Sequence, residues 1–179
     1  MSIIIGLITM NNQVFLASDK RAILSNGLVK DNYKKLYPLR PKLFFGMTGI
    51  AEYGLHVYKS VMLLPNFDKM TVQEIINSFN EHYSQNDINS TMMIAGIMDD
   101  DEAFIWSKNT HGDVRLIKRD KQSLSYSINT NNNQDKFVSK FRDEIIKSEG
   151  FYVTAMRKTI EYASTIDHTI SNDYDLILI

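Results

Sequence analysis

The chain has 179 residues, which suits a single domain over 1–179, and its 44% hydrophobic and 23% charged content excludes a disordered or fibrous chain. Its 20 basic and 21 acidic residues leave a net charge of -1, so no basic surplus points to nucleic acid or to an anionic membrane. There is no cysteine, which excludes disulfides, thiolate-held zinc, iron–sulfur clusters and a cysteine nucleophile; covalent catalysis would need an oxygen or nitrogen nucleophile.

The run at 3–10 is rich in β-branched residues, and Asn11-Asn12-Gln13 punctuates it before a second apolar run at 14–18. This pattern predicts an opening hairpin. The first run is too short to span a bilayer and lacks the flanks of a signal peptide, so the expectation is a soluble, cytoplasmic protein. A polar loop at 19–32 leads to strands at 35–39 and 43–48, with Pro38 and Pro41 suited to strand ends. Apolar spacings of three and four predict a helix at 51–64, ending before Pro65. Thr71 with Glu74 forms the signature of a capping box, starting a helix that runs to Tyr83. Strands follow at 91–98, 103–106 and 114–118, the last two joined by a turn at Asn109-Thr110-His111-Gly112, with a further strand at 123–128. Asparagine-rich 129–133 and acidic 99–102 read as loops. Helices at 134–147 and 153–166 and an apolar strand at 174–179 complete the chain. Two antiparallel sheets packed face to face, each covered by a helix pair, would bury all these amphipathic faces. The expected fold class is α+β, a four-layer α-β-β-α sandwich.

Ser2 follows the initiator methionine, and a side chain that small permits removal of Met1. The product would carry a hydroxyl and a free α-amine on one residue. With a pKa of roughly 7.7–8.0 the amine can serve as the general base for its own hydroxyl. Asp19, Arg21 and Lys35 lie at a strand end and a strand start; a lysine near the amine would lower its pKa, and a carboxylate would hold the lysine. By themselves these charges also read as solvated. The acidic run 99–102 reads as a solvated turn rather than a metal site. His56, His82, His111 and His168 have neither metal-ligand spacing nor a triad pattern, although His168 stands beside Asp167. No glycine-rich phosphate loop is present, and no cofactor is expected.

Four segments carry a resemblance: Ser2-Ile3-Ile4-Ile5-Gly6-Leu7, then Val14-Phe15-Leu16-Ala17-Ser18-Asp19-Lys20-Arg21-Ala22, then Lys34-Lys35-Leu36-Tyr37, and finally Phe45-Gly46-Met47-Thr48-Gly49. They resemble the proteasome β-subunit family, HslV-like members included, within the N-terminal-nucleophile hydrolases. The match is good over about the first 50 residues and around 167–175; elsewhere it rests on element order. The resemblance implies Ser2 as nucleophile, Asp19 as the acidic partner, Lys35 as the essential lysine and Arg21 as the arginine that follows the acid. It further implies that the Gly49 N–H forms the oxyanion hole and that Asp167 supports the nucleophile. Ring-forming homo-oligomers, peptide substrates and an ATP-dependent unfoldase partner are implied in the same way.

The departures are specific. Serine stands where the family has threonine, without the methyl group that restricts χ1. The first hairpin is one residue longer than the family's. The family's Gly-Ser-Gly segment is absent; its nearest equivalent is Asn129-Thr130-Asn131, in which asparagine tolerates positive φ and Thr130 supplies the hydroxyl. Where a serine is expected after Asp167 the chain has Ile170, with Ser171 adjacent. The expected activity is peptide or amide hydrolysis; the alternatives are a non-catalytic subunit that keeps Met1 and a small-molecule amidase on the same fold.

Overall fold

A computed structural model describes residues 2–24, 26–83, 90–109 and 112–179. In chain order its strands are β1 (Ile3–Ile8), β2 (Val14–Asp19), β3 (Ala22–Ile23), β4 (Val29–Lys30), β5 (Leu36–Arg40) and β6 (Leu43–Thr48). Helices α1 (Ala51–Met62) and α2 (Val72–Tyr83) follow, then β7 (Thr91–Ile97), β8 (Ala103–Lys108), β9 (Val114–Lys118) and β10 (Ser125–Thr130). Helices α3 (Gln134–Lys147) and α4 (Tyr152–Ile166) precede β11 (Tyr174–Leu178). The strands form an antiparallel sheet ordered β10-β1-β2-β11 and a second ordered β5-β6-β7-β8-β9.

The period-2 alternation of the strands sorts their side chains into three apolar layers. Ile3, Ile5 and Leu7 of β1, with Phe15 and Ala17 of β2, face Phe137 and Phe141 of α3 and Met156 and Ile160 of α4. On the other sheet Phe45, Ile94, Phe104 and Trp106 face Val57 of α1 and Ile75 and Phe79 of α2. The opposite faces meet each other through Ile4, Ile8, Leu16, Met93 and Ile105. Gly6 sits on this inter-sheet face, where an added Cβ would lie 2.9 Å from Ile105 Cδ1 and 3.0 Å from Met93 Sδ, so a side chain there would push the sheets apart. This is the four-layer α-β-β-α sandwich, with β1, β2 and β8 buried along their whole length.

The local signals also hold. Thr71 N–H donates to Glu74 Oε2 at 2.6 Å and Glu74 N–H donates to Thr71 Oγ1 at 3.2 Å, closing the capping box. Asp99, the first of the acidic run, accepts the Val72 N–H at 2.9 Å, so this loop also caps α2. Asn12 takes a left-handed φ of 65° in the first hairpin and holds the acidic loop through Asp101 O and Ala103 N–H. Three readings need correction. The polar loop at 19–32 contains the small β3–β4 hairpin. The strand expected at 123–128 starts at Ser125 and runs to Thr130, so Asn129 and Thr130 belong to the sheet and not to a loop. The strand expected at 103–106 continues to Lys108. In the turn at 109–112, Gly112 N–H donates to Asn109 O at 3.1 Å, while Thr110 and His111 lie outside the described residues. Among the described residues no helix is long and apolar enough to cross a membrane.

Helices α3 and α4 are joined by charge as well as by apolar contact. Buried Glu144 of α3 meets Lys140 at 2.8 Å, Lys158 of α4 at 3.5 Å and Lys147 at 3.9 Å. The hydrogen bond from Lys140, aided by the other two lysines and opposed by desolvation, holds the carboxyl below its ordinary value of 4.5. A depressed carboxyl pKa stabilises the fold above that ordinary value and loses the contribution as pH falls through the folded-state value. Glu144→Gln is therefore expected to lower Tm at about pH 7 and to match wild type more closely at about pH 4. Thermal melts of both proteins across that range check the sign.

Candidate active site

The chemistry-bearing residues converge on the carboxylate of Asp19, the last residue of β2. That strand lies between β1 and β11, so backbone from both neighbours reaches its end. Asp19 Oδ1 accepts the Ile3 N–H at 2.9 Å and the Lys35 ammonium at 2.7 Å. Asp19 Oδ2 accepts the Arg21 N–H at 3.1 Å and the Ser171 N–H at 3.2 Å. Asp19 is 0% exposed and Lys35 3% exposed. An ionised carboxylate that deep is tolerable because both oxygens are fully engaged and a cation faces one of them. Lys35 immediately precedes β5 of the other sheet, so the pair ties the two sheets together. Burial pushes the Lys35 ammonium below its ordinary pKa, and Asp19 opposes that shift.

Ser2 is buried and precedes β1 directly. Its neighbour's N–H is one of the four donors to Asp19, which places Ser2 beside the Asp19–Lys35 pair. On the other flank, Ile3 pairs with Thr130 of β10. Asn131 follows Thr130 directly, just past the end of β10. Asn131 Oδ1 accepts the hydroxyl of Thr48, the last residue of β6, at 3.1 Å, and Gly49 follows. Gly49 has φ 93°, a left-handed conformation that favours glycine and turns the chain into α1. Strand ends from both sheets thus gather Ser2, Asp19, Lys35, Thr130 and Gly49 at one end of the sandwich.

The remaining candidates hold this arrangement or stand beside it. Arg21 donates from Nε to Asp31 Oδ1 and from Nη1 to the His168 carbonyl, each at 2.7 Å, which pins the loop after α4 against the end of β2. Ser171 acts through its backbone N–H, while its hydroxyl accepts the Asp173 N–H at 3.0 Å. Asp167 ends α4, and its Oδ1 accepts the Thr169 N–H at 2.9 Å and the Thr169 hydroxyl at 2.6 Å. The Thr130 hydroxyl donates to Asn132 O at 3.2 Å. The positive φ anticipated within 129–131 is found instead at Asn133, φ 58°, because Asn129 and Thr130 are extended in β10. Met1 lies outside the described residues. Among the described residues no three metal-ligating side chains cluster, and the Nδ1 of His82 meets the carbonyl of Ser78 at 2.8 Å within α2.

Residue types alone pointed to neither the Ser171 N–H nor the Thr48–Asn131 bridge. The first is a backbone group, and the second needs the register of both sheets to be known.

No protein-family model matches the chain, and no curated protein sequence matches it. Solved structures do. The structure of Anbu (ancestral beta-subunit) from Yersinia bercovieri superposes with a TM-score of 0.76 at 10% identity, covering 98% of this chain and 80% of that one. Eukaryotic HslV from Trypanosoma brucei gives a TM-score of 0.68 at 13% identity, covering 98% of each chain. The chain therefore has the proteasome-like N-terminal-nucleophile-hydrolase fold.

Proposed function

We propose that the chain is a proteasome-like hydrolase of peptide or amide bonds whose nucleophile is Ser2, exposed by removal of Met1. The observation that carries this reading is the buried Asp19–Lys35 pair, bonded at 2.7 Å and joined to Ser2 through the Ile3 N–H. Without a task for the lysine, two buried charges at a sheet end are a costly way to join two sheets.

In the proposed reaction Ser2 Oγ attacks the substrate carbonyl and its proton passes to the Ser2 α-amine. The Gly49 N–H stabilises the oxyanion. The amine then returns the proton to the leaving nitrogen, giving an acyl-enzyme and a free amine product. Water, deprotonated by the same amine, releases the acyl group as a carboxylic acid. The Lys35 cation disfavours a second positive charge nearby and so keeps the amine in its basic form. Asp167, through Oδ2, and Thr130 orient the amine, while Arg21 and Ser171 support Asp19. Peptides are the substrates, and the working form is a homo-oligomeric ring in the cytoplasm served by an ATP-dependent unfoldase. Exposed Leu28 and Val29, around the β3–β4 hairpin, support a surface covered by another subunit.

A second reading, a non-catalytic subunit with Met1 retained, is favoured by the bonds of Thr130 to Asn132 and of Asp167 to Thr169. Intact mass of protein from its native host, measured alongside hydrolysis of a fluorogenic peptide-amide library, separates the two. Loss of Met1 with hydrolysis is the expected result. Chains without Met1 that cleave no member of the library would reject the proposal.

A further inference from the structure

The inter-sheet layer is apolar along most of its length and turns polar at the Ser2 end. On β7 the face that carries Met93 continues to Thr91; on β8 the face that carries Ile105 continues to Ser107. Ser107 pairs with Arg115 of β9, and across the gap β10 presents Asn129. These residues line a cleft of about 350 Å³ whose wall includes Asn131 and Thr130, the latter paired with Ile3, the residue after Ser2.

The donors and acceptors of this cleft are unequal. Among the described residues the hydroxyls of Thr91 and Ser107 and the Arg115 guanidinium form no hydrogen bond or ion pair, whereas the Asp113 carboxylate accepts the Asn109 side-chain amide at 2.9 Å. Gln134, at the start of α3, also lines the cleft, and no side chain caps that helix, so its partial positive charge adds to that of Arg115. The Asp113 carboxylate is held by Asn109 rather than by Arg115, so the guanidinium stays open to a carboxylate, both of whose oxygens its planar fork matches.

The position of the cleft gives the ligand its identity. In the proposed reaction the Ser2 amine must reach the leaving nitrogen, and Thr130, the residue assigned to orient that amine, is part of the cleft wall. We propose that the cleft receives the leaving-group side of the substrate and selects leaving groups that carry a carboxylate, which Arg115 binds while Thr91 and Ser107 hydrogen-bond to the adjoining peptide. This rests on the hydrolase reading for the direction of the substrate, and not for the binding itself.

Binding of short peptides to the Ser2→Ala protein, followed by calorimetry, tests it without turnover. Two matched pairs serve as probes: Gly-Glu-amide against Gly-Gln-amide for a side-chain carboxylate, and Gly-Gly against Gly-Gly-amide for a terminal one. The carboxylate member of at least one pair is expected to bind tenfold or more tightly than its amide, and the pair that discriminates identifies the source. Arg115→Gln should erase the difference, and Arg115→Lys should retain part of it. Arg115 is exposed on edge strand β9, so these variants keep the fold, which circular dichroism verifies. Equal binding within both pairs, or a preference that survives Arg115→Gln, overturns the proposal. A wild-type protein that shows the preference but hydrolyses nothing would sink the hydrolase reading and leave the cleft assignment standing.

Discussion

Replacing Lys35 by methionine is expected to cost about 3–5 kcal/mol of folding free energy and to lower kcat/KM by about 10²–10⁴-fold. Methionine preserves the apolar stem and removes only the charge, leaving Asp19 with the N–H groups of Ile3, Arg21 and Ser171. The variant therefore leaves a buried carboxylate without its cation. Asp19→Asn is disruptive for a different reason. Both carboxylate oxygens accept N–H groups, and an amide has a single oxygen, so one rotamer or the other points NH2 at backbone donors. The double variant Lys35→Met/Asp19→Asn removes both charges and should be less destabilised than the sum of the two singles. Urea unfolding of the four proteins measures this coupling. Additive single effects, or a loss below about 1 kcal/mol for Lys35→Met, would show that the pair does not hold the two sheets at this end.

Much of the fold is written in local pattern, because strand alternation, helical spacing and the Thr71–Glu74 box are each set by neighbours in sequence. The end of β10 is not. Asn129 and Thr130 are residues that favour turns, yet Asn129 is satisfied inside the sandwich by Ser127 Oγ at 3.1 Å and by the Met92 carbonyl at 3.4 Å, while Thr130 pairs with Ile3. Tertiary partners decide there, and propensity gives way. With two residues in each strand, the β3–β4 hairpin is too short to express any period. At the site, side-chain identity exposes Asp19 and Lys35, whereas three of the four donors that fix Asp19 are the backbone N–H groups of Ile3, Arg21 and Ser171. The polar cleft has no local signature either: its residues come from four strands, the turns after β8 and β10 and the start of α3, and they share a wall only after both sheets have taken register.

Ser2→Ala separates catalysis from architecture more sharply than any substitution at the charge pair. Alanine is as permissive as serine for removal of Met1, retains the α-amine and leaves the Ile3 N–H on Asp19. Only the attacking oxygen is lost. Hydrolysis should fall by about 10⁴-fold or more, because positioning and the oxyanion donor remain while no covalent intermediate can form. Folding stability should change by no more than about 1 kcal/mol, the scale of one hydroxyl's hydrogen bonding, and sedimentation should show unchanged assembly. Ser2→Thr restores the oxygen with a methyl group that limits χ1 and should retain activity. The contrast with Lys35→Met is diagnostic: the lysine variant loses activity and stability together, the alanine variant activity alone. If wild type, Ser2→Ala and Ser2→Thr all hydrolyse peptide amides at one background rate, Ser2 is no nucleophile, and the sandwich serves as a subunit without chemistry of its own.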